Sequence, residues 1–329
     1  MALLVLHSPH ERCGIAEYGR ALGVAFLAEG VTPRSRPLSA SPEFILNDVA
    51  PGTVVLVHFE PSLVPFDIAS TLMAARERGA RVVFCCHWFG DSTLANFGHV
   101  ADRFVVHRDY GLKDQRVVEI PLGCPVYDPP ADKASLRRRY ELPEDAIVVT
   151  TLGFLSPWKK LPAVAGAMAR MMRMAPRVFL QVLTAIPFAG DAHGEKRAMQ
   201  RVLSSLPGDR YFFSTEFRVE QDLLDRLAAS DLAFLYHGQD TGSVSAATKA
   251  CVAARLPAVV TGSSHASDIR EGVHRVEGFD PARFSSEVLF TAGDPPKLAA
   301  MREGMEREYR RLNMRAVARR YIDLFGSLA

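Results

Sequence analysis

Residues 153–164 read GFLSPWKKLPAV, and the fold turns on what this stretch joins. Before it runs AIVVTTL from Ala146, a buried-strand pattern. After it runs AVAGAMARMM, a helical one. Lys159 and Lys160 therefore sit at a strand-to-helix turn. In an α/β fold that is the carboxyl edge of the sheet, where helix N-termini and basic side chains receive anions. Two lysines that merely solubilise an exposed turn are the competing reading of these residues.

The same grammar extends outward in both directions. ALLVLH, TVVLVHF, ARVVFCCH, DRFVVH and RVVEIPL read as short buried strands, separated by helix-like runs such as AEYGRALGVAFLAEG. Residues 124–146, CPVYDPPADKASLRRRYELPEDA, interrupt the rhythm with four prolines and a charged helix, as an interdomain linker does. The alternation then restarts and ends in helix-forming sequence from Pro295 to Leu328. The expected fold class is α/β, with two doubly wound units.

Bulk properties narrow the partners. Among 329 residues, 48% are hydrophobic and 23% charged, with a net charge of +2, so no global field favours nucleic acid. The five cysteines are scattered, and neighbours Cys85 and Cys86 face opposite ways on a strand. This fits a reducing cytoplasm better than a disulfide framework. The N-terminal apolar run is too short for a signal peptide, no run is long enough to span a membrane, and no strong basic amphipathic face marks a membrane surface.

Three strand-end segments are candidates for chemistry. SPHERCGIAEYGRAL, residues 8–22, places Gly14 at a helix start, either for ligand approach or for a tight turn. It lacks the G-x-G-x-x-G spacing of dinucleotide sites. FCCHWFGD places His87 at a strand end, to meet a substrate or to bond a backbone carbonyl. HGQDTGSVSAATKA, residues 237–250, brings Thr241, Gly242, Ser243 and Ser245 into a helix start, as a diphosphate cradle or an ordinary N-cap by Thr241 or Ser243. No D-x-D, H-E-x-x-H or G-x-S-x-G pattern supports a metal-dependent or acyl-enzyme mechanism.

Taken in order, CGIAEYGRAL, CCHWFGD, RFVVHRDYG, EIPLGCP, GFLSPWKKL and the block from Asp231 to Thr261 resemble retaining glycosyltransferases of the GT-B fold, nearest to glycosyltransferase family 4. The resemblance implies two Rossmann-like domains facing a central cleft: residues 1–130 on the acceptor side, a linker at 131–145, a nucleotide-sugar domain at 146–312, and a helix at 313–329 crossing back to the first domain. It implies catalytic roles for His87, Lys159 and, as a substitute acid, Asp240. Donor contacts fall to Gly14, Gly153, Lys159, Thr241, Gly242, Ser243, Val244 and Ser245. Arg12, Glu17, Tyr18, Trp88 and His107 fall on the acceptor side.

A UDP- or GDP-sugar is the implied co-substrate, with no metal and no other cofactor. The acceptor is left open among glycan, lipid-linked glycan, small molecule and modified nucleic acid, and the oligomeric state is left open too. The sequence also departs from the family. The acids of its E-x7-E motif are replaced by Gly242 and Ala250, and its customary glycines by Lys160 and Arg255. Loss of both acids raises a second possibility, a nucleotide-sugar or glycan binding protein of the same fold without turnover. A two-domain solute-binding protein is disfavoured because no export signal is seen.

Overall fold

A computed structural model describes residues 1–10, 13–61, 63, 68–173, 175–187, 193–240 and 242–328. Its contacts divide the chain into two compact units. The first comprises residues 1–123, 242–244 and 312–329, and the second comprises 124–241 and 245–311.

In the first unit, β1 (Leu3–His7), β2 (Pro33–Pro37), β3 (Val54–Phe59), β4 (Arg81–Cys86), β5 (Arg103–Val106) and β6 (Val117–Glu119) form a parallel sheet in the order β2-β1-β3-β4-β5-β6. All six residues of β3 are buried, because helices cover both faces. Alternate residues feed two cores. Leu3, Val5, Leu56, Val83 and Cys85 pack on one side with the helix Gly14–Ala28. Leu4, Leu6, Val57, Phe84 and Cys86 pack on the other with the helix Ile68–Glu77. Cys85 and Cys86 thus point to opposite faces, as their adjacency on a strand requires.

The second unit repeats the plan with β7 (Ile147–Phe154), β8 (Val178–Ala185), β9 (Tyr211–Ser214), β10 (Leu232–Leu235), β11 (Ala258–Thr261) and β12 (Val273–Val276), in the order β12-β11-β10-β7-β8-β9. Its pairings are also parallel. In each sheet the chain starts near the middle and turns back, so the strand order reverses between β1 and β3 and between β7 and β10. Ligands of open α/β sheets bind outside the carboxyl ends of strands at such reversals.

Two edge strands were not legible in the sequence. β2 is PRSRP, with Arg34 and Arg36 paired to Asp48, and β12 is VHRV. Edge strands tolerate proline and polar residues because only one side of the ladder is bonded, so their pattern is weak.

The stretch expected to be a linker, 131–145, is instead packed into the second unit. Asp132 caps the helix Lys133–Arg139 by accepting from Ser135 N at 2.8 Å. Arg137 donates to the carbonyls of Ala229, Glu144 and Ala146 and to the Asp231 carboxylate, which also accepts from Val148 N. A buried guanidinium needs this many acceptors, and they fix the segment in place. The helix Met314–Gly326 belongs to the first unit, where Tyr321 and Phe325 meet Phe26 edge-on or tilted at about 6 Å. Among the described residues no helix is long and apolar enough to cross a membrane.

Candidate functional site

In the second unit the strand β7 runs to Phe154 and passes Gly153 at φ +107°, a left-handed value that favours glycine. A Cβ there would meet Lys159 Nζ at 2.8 Å, so the absent side chain is what lets the amine lie against the strand end. Lys159 closes the turn Pro157–Lys159 and is buried, whereas Lys160 is exposed. Lys159 has no ion pair among the described residues, and its Nζ lies 5.3 Å from the centroid of the Trp158 ring. Burial alone pulls its pKa down to about 8.

Around this amine the surroundings are polar but under-satisfied. Thr151 Oγ1 and His237 Nδ1 are buried without a well-formed hydrogen bond among the described residues. Both residues line the recess that also contains Lys159 and Ala247. His237 stacks on His265 at 3.8 Å between ring centroids, and Trp158 stacks beside both. Burial first, then His265 and Lys159, drive the His237 pKa down to about 2, so its ring is neutral. A buried cation without an anion, set among unpaired polar atoms at a strand-order reversal, is suited to receive an anionic ligand.

The loop expected to cradle phosphates is only partly as read. Thr241 lies outside the described residues. The helix cap is Ser245, not Thr241 or Ser243: its Oγ accepts from Ala247 N at 3.3 Å and its N–H donates to His265 O at 2.9 Å. Asp240 is engaged by Ser264, whose N–H and Oγ–H both donate to its carboxylate. Gly242 has φ +74°, and its carbonyl accepts from Tyr110 Oη at 2.8 Å. Ser243 is half-buried, and Val244 packs on the core beneath the first sheet.

In the first unit the strand ends assemble a histidine cluster. His87 follows β4, and its N–H donates to Phe59 O at 2.9 Å. Its Nε2 lies 3.1 Å from His58 Nδ1, at the carboxyl end of β3. His107, after β5, bonds Ile120 O through Nδ1 at 2.9 Å. The Tyr18 ring stands edge-on to all three imidazoles at 5.3–5.8 Å. Burial and repulsion from neighbouring imidazoles hold His58 and His87 neutral, with His58 lowered to about 3 and His87 well below its ordinary value.

Of the remaining expected residues, Gly14 begins the helix Gly14–Ala28, whose preceding residue, Cys13, gives no side-chain cap, and a Cβ at Gly14 would meet nothing within 4 Å. Trp88 lies over Gly90, where a Cβ would clash at 2.8 Å. Glu17 is bound to Arg20 on the helix surface. Arg12 lies outside the described residues. His58, His237, His265 and Trp158 were not singled out as site residues from sequence. A histidine after a strand was the available signal for the first two; His265 sits in an unremarkable SSHAS run and had none.

No protein-family model matches the chain. Over its whole length it superposes on the crystal structure of Anabaena Alr3699/HepE in complex with UDP and glucose, with a TM-score of 0.76, 14% identity and coverage of 99% and 100%. The fold is that of the GT-B glycosyltransferases. Sucrose-phosphate synthase from Thermosynechococcus elongatus, another GT-B protein, superposes with a TM-score of 0.72 at 16% identity, covering 100% and 99%. In sequence, proteins named D-inositol 3-phosphate glycosyltransferase are similar. The one from Thermobispora bispora is 29% identical over 204 residues, and that from Geodermatophilus obscurus 30% over 205. Each match covers 60% of this chain but only 46% and 44% of the relative, so the chain matches less than half of their length. The resemblance to family 4 read from the sequence is upheld by these relatives.

Proposed function

We propose that the chain is a cytoplasmic, metal-independent retaining glycosyltransferase that takes a UDP- or GDP-sugar. The donor falls to residues 146–312 and the acceptor to residues 1–130. The observation that carries this reading is Lys159, a buried cation without an ion pair among the described residues, lying against Gly153 at the end of β7. Breaking a glycosyl–phosphate bond builds negative charge on the departing diphosphate. A lysine, backbone amides and a helix start stabilise that charge in place of a metal ion. The UDP and glucose bound by HepE favour UDP over GDP. The five cysteines, all free, fit the cytoplasm.

In this reading the acceptor hydroxyl attacks from the side of the leaving group, and a diphosphate oxygen takes its proton. No carboxylate nucleophile is then needed. His87, at the end of β4, hydrogen-bonds the reacting sugar, and Asp240 orders the loop through Ser264. One observation favours a second reading, a binding protein without turnover: the family's two acids are replaced by Gly242 and Ala250.

The test is a thermal-shift panel of UDP, GDP, ADP and their sugars, followed by assay of donor hydrolysis without acceptor. The transferase reading expects a UDP-dependent shift and slow hydrolysis, with His87→Ala lowering turnover more than donor affinity. Binding without any hydrolysis selects the second reading. The absence of a shift at millimolar nucleotide overturns both.

A further inference from the structure

At the carboxyl ends of β3 and β4, His58, Cys85 and His87 bring one donor atom each within 4.8 Å of the others. His58 Nδ1 and His87 Nε2 are 3.1 Å apart, and Cys85 Sγ is 3.8 Å from the same Nε2. Zinc–nitrogen bonds of about 2.0–2.1 Å and zinc–sulfur bonds of about 2.3 Å put tetrahedral ligand atoms about 3.3 Å apart for two nitrogens and about 3.6 Å for nitrogen and sulfur. The two separations that involve His87 differ from these by a few tenths of an ångström, and the His58–Cys85 pair, within 4.8 Å, has to close on a bound ion.

A fourth donor is adjacent. Ile120 O can only accept, so His107 donates from Nδ1, and its Nε2 lies 3.7 Å from Cys85 Sγ. Tyr321 Oη donates to the same sulfur at 3.1 Å, a bond that supports a thiolate. His58 is wholly buried, and its Nε2 has no hydrogen-bond partner among the described residues. Packing alone does not reward that arrangement.

We propose that His58, Cys85 and His87 form a binding site for a divalent zinc-like ion, and that filling it inhibits the enzyme by occupying His87 Nε2. The inhibitory half rests on the reading of His87 given above. Binding releases the Cys85 thiol proton to solvent. The proton now shared between His58 and His87 moves to the other nitrogen of its own ring, so both facing nitrogens become lone pairs. Two imidazoles and one thiolate suit zinc rather than magnesium or calcium, which prefer oxygen.

The experiment titrates the full chain, carrying Cys13→Ser to remove the one cysteine that is not buried, with cobalt(II) as a spectroscopic stand-in and then with zinc. The expected result is one equivalent bound, with a thiolate-to-cobalt charge-transfer band and tetrahedral visible bands that zinc displaces. Cys85→Ser removes the charge-transfer band, and His58→Asn weakens binding by about a hundredfold.

No thiolate band in the otherwise unaltered chain overturns the site without recourse to a variant, and so does a band that survives Cys85→Ser. Turnover with chelator is then divided by turnover with zinc. A ratio well above one, returning to one in Cys85→Ser, supports inhibition. A loaded site with a ratio of one overturns the inhibitory half and the role of His87 together. No loading beside a normal UDP shift overturns the metal site alone and leaves the transferase reading standing.

Discussion

Lys159 is a cation buried without an anion among the described residues, and that sets its behaviour. Its pKa in the folded chain, about 8, lies below its ordinary value because burial disfavours the charged form. Between pH 8 and the ordinary lysine range the unfolded chain therefore holds a proton that the folded chain does not, and this residue's contribution to stability rises with pH. Below pH 8 it is a net cost, so Lys159→Met is expected to stabilise the ligand-free protein by about 1–3 kcal/mol in denaturant melts while shrinking the UDP shift. In the proposed function, UDP binding needs the protonated amine. Affinity is expected to weaken by up to about tenfold per pH unit above pH 8, and Lys159→Met to be flat across that range by calorimetry. Gly153→Ala tests the same contact from the other side. Its Cβ collides with Nζ at an unfavourable φ, and we expect about 1–3 kcal/mol of destabilisation together with weaker UDP binding.

At the scale of elements, two departures from the family's glycines fall where this backbone is left-handed. Lys160 has φ +46° and Arg255 φ +52°, left-handed values at the positions where the family has glycine. A side chain there costs about 1 kcal/mol. At Arg255 the guanidinium offsets it by donating to Tyr127 O and Ala253 O, pairing with Glu306 and lying 3.5 Å from the Tyr309 ring centroid. The helix Lys133–Arg139 read as linker because prolines and charges are what a linker shows locally. Its anchoring by Arg137 depends on Asp231 and Ala229, some ninety residues away. Arg137→Ala is expected to lower unfolding free energy by about 3–5 kcal/mol, since it leaves Asp231 and several carbonyls short of a donor. A loss below about 1 kcal/mol in urea melts would return the segment to the status of a tether.

Across the whole molecule, the first unit is completed by residues from the far end of the chain. Met314, Val317, Tyr321 and Phe325 are each at most 2% exposed and share one core with β1, β3 and β4. Each such side chain is worth about 1.5–3 kcal/mol when buried. A chain ending at Leu312 is expected to lose the cooperative melt of the first unit, checked by calorimetry; an unchanged endotherm would contradict that core. Reading along the chain was enough for the strand ends and for the opposed faces of Cys85 and Cys86, because periods of two and of 3.6 residues are set by local backbone geometry, whereas the separation of Lys159 from Lys160 came from the resemblance to the family. Strand order, the reversals between β1 and β3 and between β7 and β10, the gathering of His58, Cys85, His87 and His107, and the engagement of Asp240 by Ser264 came only from the folded structure. These depend on which distant segments pair and pack, and no local pattern encodes the partner of a hydrogen bond tens of residues away.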